Sequence, residues 1–381
     1  MASGFKEHFS RFLGADRDRL HFAAHSHHLW PDVTFEAQTR AWEFAARLAD
    51  RKWDRVFADL VPLAPRHIAG VLGLPQATTI AFAPNTHELF MRIYSCFEPP
   101  VGILTTDGEF HSFRRQVRRL EEAGRAVVER VPVEPFDTFA ARFSAAVGAW
   151  EGDLVYVSQV FYDSGFVIPE IAMPSDDAVV VVDGYHGFMA LPTELGAVAD
   201  RVFYLAGGYK YAMSGEGMCF AHCPPGYAAR PVDTGWFAGF GQLDSTVFDD
   251  PVSYAADGSR FLGATFDPTP LFRFNAVMRW LDDLGVTVDD IHGHVQVLQE
   301  LFIDDVDERM VACLIPDRSW SERGHFLTFR FPGAELVHKR LMEANVVTDR
   351  RGDRLRIGFG LYHDEDDIDR LLQKVKMALI P

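Results

Sequence analysis

From residue 102 the chain alternates short apolar runs with longer amphipathic stretches: GILTT at 102–106, FRRQVRRLEEAG at 113–124, DLVYVSQV at 153–160, AVVVVDG at 178–184 and RVFYLAG at 201–207. Short apolar runs separated by stretches of helical periodicity predict βαβ units and a mostly parallel sheet, an α/β fold. Near residue 265 the pattern changes. A helix is predicted with apolar positions at Phe272, Ala276, Val277, Trp280 and Leu284, stopped by Gly285. Beyond it come a strand HFLTFRF, a helix AELVHKRLMEA, a strand RLRIGFG and a last helix. That helix opens on DEDDID and carries Lys374 and Lys376 near its end, as its dipole favours. The expected organisation is a large domain over 20–264 and a smaller α+β domain made of 1–19 and 265–381. There is no internal repeat or low-complexity tract, and the aromatic-rich stretch from Gly235 to Asp267 reads as a loop at an active site or interface.

Composition narrows the function. The 381 residues are 48% hydrophobic and 13% aromatic, enough for a sizeable core. With 37 basic against 54 acidic residues the net charge is -17, which repels phosphate backbones and anionic membranes, so no nucleic-acid or membrane partner is expected. The apolar run Ala178–Val182 is far too short to span a bilayer, and MASGFKEHFS has no apolar signal core. A cytoplasmic location is expected. Cys96, Cys219, Cys223 and Cys313 are too scattered for a disulfide framework and read as free thiols.

The candidate chemistry lies at strand ends. AVVVV ends in Asp183, followed by Gly184, Tyr185 and His186, and the next run, RVFYLAG, leads into a glycine-rich turn carrying Tyr209 and Lys210. Ligands of open α/β sheets bind at that edge. A lone strand-end aspartate or a lone lysine is usually structural or solvated; the two on adjacent strands point further. Pyridoxal 5'-phosphate (PLP) needs a lysine to hold its aldehyde as a Schiff base and an anion to keep its pyridine nitrogen protonated, and Lys210 and Asp183 suit these jobs. Asn85 caps a predicted helix with Glu88 three positions on, so Asn85, Thr86 and His87 form a candidate phosphate cradle, although an ordinary N-cap has the same signature. Phe110, His111 and Phe113 follow the strand GILTT; one of the two phenylalanines is expected to cover the ring, and core packing is the alternative for either.

DGYH at 183–186 followed by GYKYAMSGEG at 208–217 resembles the Asp-x-x-His and Tyr-Lys-Tyr motifs of kynureninases, in the class V aminotransferase group. VFYDSG at 160–165 is similar to the family's V-N-Y-x-T-G, GWF at 235–237 to its G-W-W, Arg323-Gly324-His325 to its R-G-S/G-Q/H, and VVTDRRGDRLRIGFGLY at 346–362 to its V-x-x-D-x-R…IR…PLY. The resemblance implies a PLP-dependent fold type I enzyme with a mostly parallel seven-stranded large-domain sheet. It further implies Asp183 on the pyridine nitrogen, His186 supporting the ring, Phe110 stacked on it, Tyr209 at the phosphate beside Lys210, Tyr162 at the cofactor and Arg356 on the substrate carboxylate. Trp236 and Thr269 would reach into a partner's site, implying a homodimer with composite active sites. Tyr162 matches kynureninases where cysteine desulfurases usually carry asparagine, and no cysteine stands where a desulfurase keeps its nucleophile.

The sequence departs from the family at AHSHH (24–28), at DPTP (267–270) and at Phe161, which replaces an asparagine. These departures bear on substrate choice, with His25 and Ser26 as candidate substrate-binding residues. The implied activity is hydrolytic cleavage of the side-chain carbon-carbon bond of kynurenine or a related amino acid, with class V transamination as the alternative. A metal hydrolase using His21, His25, His27 and His28 with Asp183 and His186, and a non-catalytic PLP-binding protein, are the readings from other classes. The loose spacing of these histidines argues against the first, so no metal is expected.

Overall fold

The structure is a computed structural model and describes residues 4–175, 177–242 and 251–380. Its strands in chain order are β1 (Leu20–His21), β2 (Ile80–Ala83), β3 (Val101–Thr106), β4 (Ala126–Val131), β5 (Leu154–Ser158), β6 (Val179–Asp183), β7 (Val202–Gly207), β8 (Cys219–His222), β9 (Leu314–Ile315), β10 (Phe326–Arg330), β11 (Val346–Val347), β12 (Asp349–Arg351) and β13 (Arg354–Gly358). Seven of them form the large sheet, in the order β2-β8-β7-β6-β5-β3-β4. β8 runs antiparallel to both of its neighbours, while β3 to β7 pair in parallel.

The valine-rich strands read as continuous apolar runs because both sheet faces are covered. Side chains alternate between two cores. Val180, Val182, Val155, Val157 and Tyr204 enter one, and Val179, Val181, Leu154, Tyr156, Phe203 and Leu205 the other. Asp183 shares the parity of Val179 and Val181, which carries its carboxylate towards Tyr156 at the rim of the second core.

A four-stranded antiparallel sheet, β12-β13-β10-β9, supports a third core. Leu327, Phe329, Leu355 and Ile357 meet apolar residues of the helices Val288–Asp305, Ala334–Glu343 and Glu365–Ala378 there. Capping boxes open the first and last of these helices, Thr287 with Asp290 and Asp364 with Asp367. The helix Thr269–Leu284 ends, as expected, at Gly285, whose φ of +65° is the left-handed stop glycine adopts without strain. Its Leu271, Phe274, Val277 and Leu281 pack with the large sheet, as does Phe9, whereas Leu20 and Phe22 join the third core. The apolar cores thus divide the chain differently from the sequence pattern, which puts 1–19 and everything from 265 in the smaller unit. Within the 235–267 stretch, the short helical turns Trp236–Gln242 and Gly258–Phe261 flank residues 243–250, which lie outside the described residues.

Candidate active site around Lys210

The C-terminal ends of the parallel strands converge. Ala83 at the end of β2 pairs with Cys219, which pairs with Gly207 at the end of β7, so the N-terminus of the helix Thr86–Tyr94 lies beside the turn that carries Lys210. That turn is closed locally by Gly208 N–H to the Met218 carbonyl (2.8 Å) and Ser214 N–H to the Gly208 carbonyl (2.9 Å). A Cβ on Gly207 would stand 2.3 Å from the Tyr185 hydroxyl and 2.5 Å from Cys219 Sγ, so only glycine lets the strand end approach these groups.

Lys210 is buried, with its Nζ 2.6 Å from His186 Nε2 and 5.7, 5.4 and 5.9 Å from the ring centres of Phe110, Tyr185 and Tyr209. Burial lowers its pKa to about 7, with Arg356 adding to the effect and Asp183 and Asp349 opposing it. Near neutral pH a large share of this lysine is therefore the free amine, the nucleophilic form. Burial, then Lys210 and Arg356, keep the His186 imidazole neutral. Asp183 accepts from the Tyr156 hydroxyl (3.0 Å) and the Tyr185 N–H (3.0 Å); burial raises its pKa against the pull of these donors and of Lys210.

Arg356, 3% exposed, comes from β13 and reaches the same place. One Nη donates to the Tyr162 carbonyl and the other to Asp349, while its buried Nε has no partner among the described residues. Ser26 Oγ also donates to Asp349, at 3.0 Å. His25 is fully buried, stacked on Phe326 with ring centres 4.7 Å apart, and its Nε2 lies 3.8 Å from Asp349. Both of its ring nitrogens lack a hydrogen-bond partner among the described residues. Phe110 and Tyr162 meet edge to face at 5.4 Å.

The structure thus brings Lys210, His186, Asp183, Tyr209, Phe110, Tyr162, Arg356, His25 and Ser26 together. Asn85 caps its helix by accepting from the Glu88 N–H (2.9 Å), and the Thr86 N–H faces Cys219 Sγ, with Thr86 half-buried and His87 exposed. Trp236 is 46% exposed and donates to Thr265, and Thr269 lines a cavity of about 270 Å³ with Pro84, Met218 and Arg273. Neither Trp236 nor Thr269 touches Lys210 through any described contact. Of the two candidate ring-covering phenylalanines, Phe113 packs into the second core, stacked on Tyr156 at 3.6 Å, which leaves Phe110.

Sequence reasoning missed Glu109. Fully buried, it accepts from Thr106 Oγ1 (2.7 Å), Ser158 Oγ (2.6 Å) and the Ser158 N–H (3.2 Å), tying the end of β3 to the end of β5 beneath Phe110. Burial pushes its pKa up to about 8 against these donors, and Asp183 adds to the rise. A single glutamate before a helix reads as an ordinary dipole-favoured residue, so only the fold reveals it. Asp349 stood in the quoted C-terminal pattern without a role; its bond to Arg356 supplies one.

The histidines of the rival metal reading are separated. His21 bonds Tyr362, His28 bonds the Leu29 carbonyl, and His27 stacks on Tyr209. Among the described residues no group of three or more His, Cys, Asp or Glu is set to hold a metal ion. Nor, among them, is any helix long and apolar enough to cross a membrane.

Residues 291–375 match the family model of the kynureninase C-terminal domain. A kynureninase of Deinococcus radiodurans is 26% identical over 261 residues, 65% of this chain but only 61% of that protein's length. Among solved structures, an apo cysteine desulfurase from Thermococcus onnurineus NA1 superposes with a TM-score of 0.79 at 17% identity, covering 99% of both chains. A mutant of C-DES with glycine covalently linked to its PLP cofactor gives 0.79 at 16% identity, covering 100% of both. The chain therefore has the α/β architecture of the PLP-dependent fold type I enzymes, and its residues 291–375 are similar to the C-terminal domain of kynureninases.

Proposed function

We propose that this protein is a PLP-dependent enzyme acting on an amino acid, most simply a kynureninase-like hydrolase that cleaves a side-chain carbon-carbon bond. The observation that carries this reading is the buried Lys210 amine held 2.6 Å from His186, with Asp183 on the next strand and Arg356 reaching in from the small sheet. The residues fit the cofactor. Lys210 would hold its aldehyde, Asp183 its ring nitrogen and Phe110 one ring face, with His186 and Tyr162 supporting it. The helix start at Asn85, Thr86 and His87, with Tyr209, would take its phosphate. Trp236 and Thr269 would serve a second copy of the chain in a homodimer.

PLP bound there supplies an electron-accepting ring that stabilises negative charge at the substrate α-carbon. Arg356 orients the substrate carboxylate through its unpartnered Nε, while Asp349 and the Tyr162 carbonyl hold its other two nitrogens. Lys210 would take the substrate α-proton, its lowered pKa letting it both accept and return a proton near neutrality. His25 and Ser26 line the substrate side next to Asp349.

The test is to supply PLP and L-kynurenine without any keto acid and to follow the visible cofactor absorbance and anthranilate fluorescence together. Anthranilate over many turnovers supports hydrolysis. A single turnover that consumes the visible band selects the class V aminotransferase reading instead, and a protein that develops no visible band on adding PLP overturns the proposal.

A further inference from the structure

The arginines at the mouth of this site outnumber the acids that face them. Arg356 and Arg351 both bond Asp349, the latter through Nη1 at 2.6 Å, so two guanidinium groups share one carboxylate. Arg114 forms no ion pair among the described residues and reaches the Tyr162 hydroxyl. Nearby, Arg354 bonds Asp163 (2.6 Å) and Glu134 (3.0 Å), and Arg330 bonds Glu134 (2.7 Å), a set of two cations and two anions that balances itself. His111 locates the unbalanced charges. Its exposed ring lies 5.0 Å from that of Tyr162, and, after burial, Arg351, Arg114 and Arg356 lower its pKa against Asp163.

With Arg354 and Arg330 set against Asp163 and Glu134, three guanidinium groups remain against the Asp349 carboxylate around Tyr162, an excess of two positive charges in a chain whose net charge is -17. The α-carboxylate of an amino acid neutralises one of them. Among the described residues no acid pairs with Arg114, which lies near the start of the helix His111–Glu122, where the dipole opposes a cation and where no acidic side chain stands in the first turn.

Building on the function proposed above, we propose that the substrate carries a second negative charge on its side chain, received by Arg114 and Arg351 at the rim formed by Tyr162 and His111. The selected class is amino acids whose side chain ends in an anionic group beyond the carbon-carbon bond to be cleaved, for which the dicarboxylic amino acids are the simplest binding probes. The rest of the acidic surface repels such anions, and the cationic mouth focuses them.

The experiment uses the holoenzyme and the isosteric pairs L-aspartate with L-asparagine and L-glutamate with L-glutamine, read by the change each causes in visible cofactor absorbance. In at least one pair the acid is expected to bind roughly tenfold or more tightly than its amide, with a preference that shrinks as salt is raised. Arg114→Gln should reduce the acid-to-amide ratio by about tenfold, and Arg114→Lys should restore part of it. Amides that bind as tightly as the acids, or a ratio unmoved by Arg114→Gln, overturn this inference and leave the proposed function standing. Absence of the visible band itself overturns the function beneath it.

Discussion

Two buried groups of polar side chains lie side by side in this fold and are built on opposite principles. In the first, His21, His28, His363 and Tyr362 satisfy one another and the backbone. His21 Nδ1 lies 2.6 Å from the Tyr362 hydroxyl, His363 Nε2 2.8 Å from the His21 carbonyl, and His28 Nδ1 2.6 Å from the Leu29 carbonyl. Burial holds His28 down at about 4 and His21 at about 3, so all three rings stay neutral at physiological pH. In the second, around Lys210, the groups are of opposite charge and incompletely satisfied: His25 has two unpartnered nitrogens and Arg356 one, among the described residues. A satisfied cluster holds a structure together; one with unmet donors and a titrating amine is prepared for a ligand.

Substitutions can break that contrast. Lys210→Ala has the largest expected effect, a loss of turnover of about 10²–10⁴-fold or more together with the visible cofactor band. Thermal stability should hold, because a buried amine is removed; a fully active variant refutes the site. Arg356→Gln should raise KM by roughly 30- to 1,000-fold, the equivalent of about 2–4 kcal/mol, with a smaller change in kcat. Glu109→Ala leaves the donors of Ser158 and Thr106 unmet and should destabilise the fold by about 1–3 kcal/mol in denaturant titration.

Glu109→Gln sharpens the point through pH. The carboxyl has its pKa raised from 4.5 to about 8, so the folded state binds the extra proton within that window. Its stabilising contribution is full below 4.5 and is lost as pH rises towards 8, and the glutamine variant should flatten that decline. The smallest effect on catalysis belongs to the satisfied cluster. His363→Ala, which removes a ring stacked on Phe22 at 4.2 Å, should lower stability by about 1–3 kcal/mol while kcat/KM changes by less than about threefold.

The sequence makes the large sheet legible because valine runs covered on both faces leave little ambiguity, and Lys210, Asp183 and His186 are legible because they sit at strand ends. The contact of Glu109 with Ser158 is not, since it joins separate strands and no local pattern records which strand ends meet; Asp349 and Arg356 face each other across the short hairpin β12–β13, whose first strand, all polar, carries no apolar alternation to mark it. The packing of the helix Thr269–Leu284 with the large sheet is hidden for a similar reason. Its periodicity specifies an apolar face without naming the core that receives it. Residue type alone leaves Phe110 and Phe113 as equal candidates; the family resemblance singles out Phe110, and the helix that begins at His111 carries Phe113 into the second core.

The turn that carries Lys210 has a consequence for how the site comes into being. It joins two neighbouring antiparallel strands and closes on itself through bonds from Gly208 to Met218 and from Ser214 to Gly208. Arg356, by contrast, reaches Tyr162 from a sheet contributed by the far end of the chain. Short loops close with little entropic loss and long ones close late. Contact order therefore predicts that the turn carrying the lysine closes before the arginine clamp arrives, so that the proposed site acquires its reactive group before its selectivity.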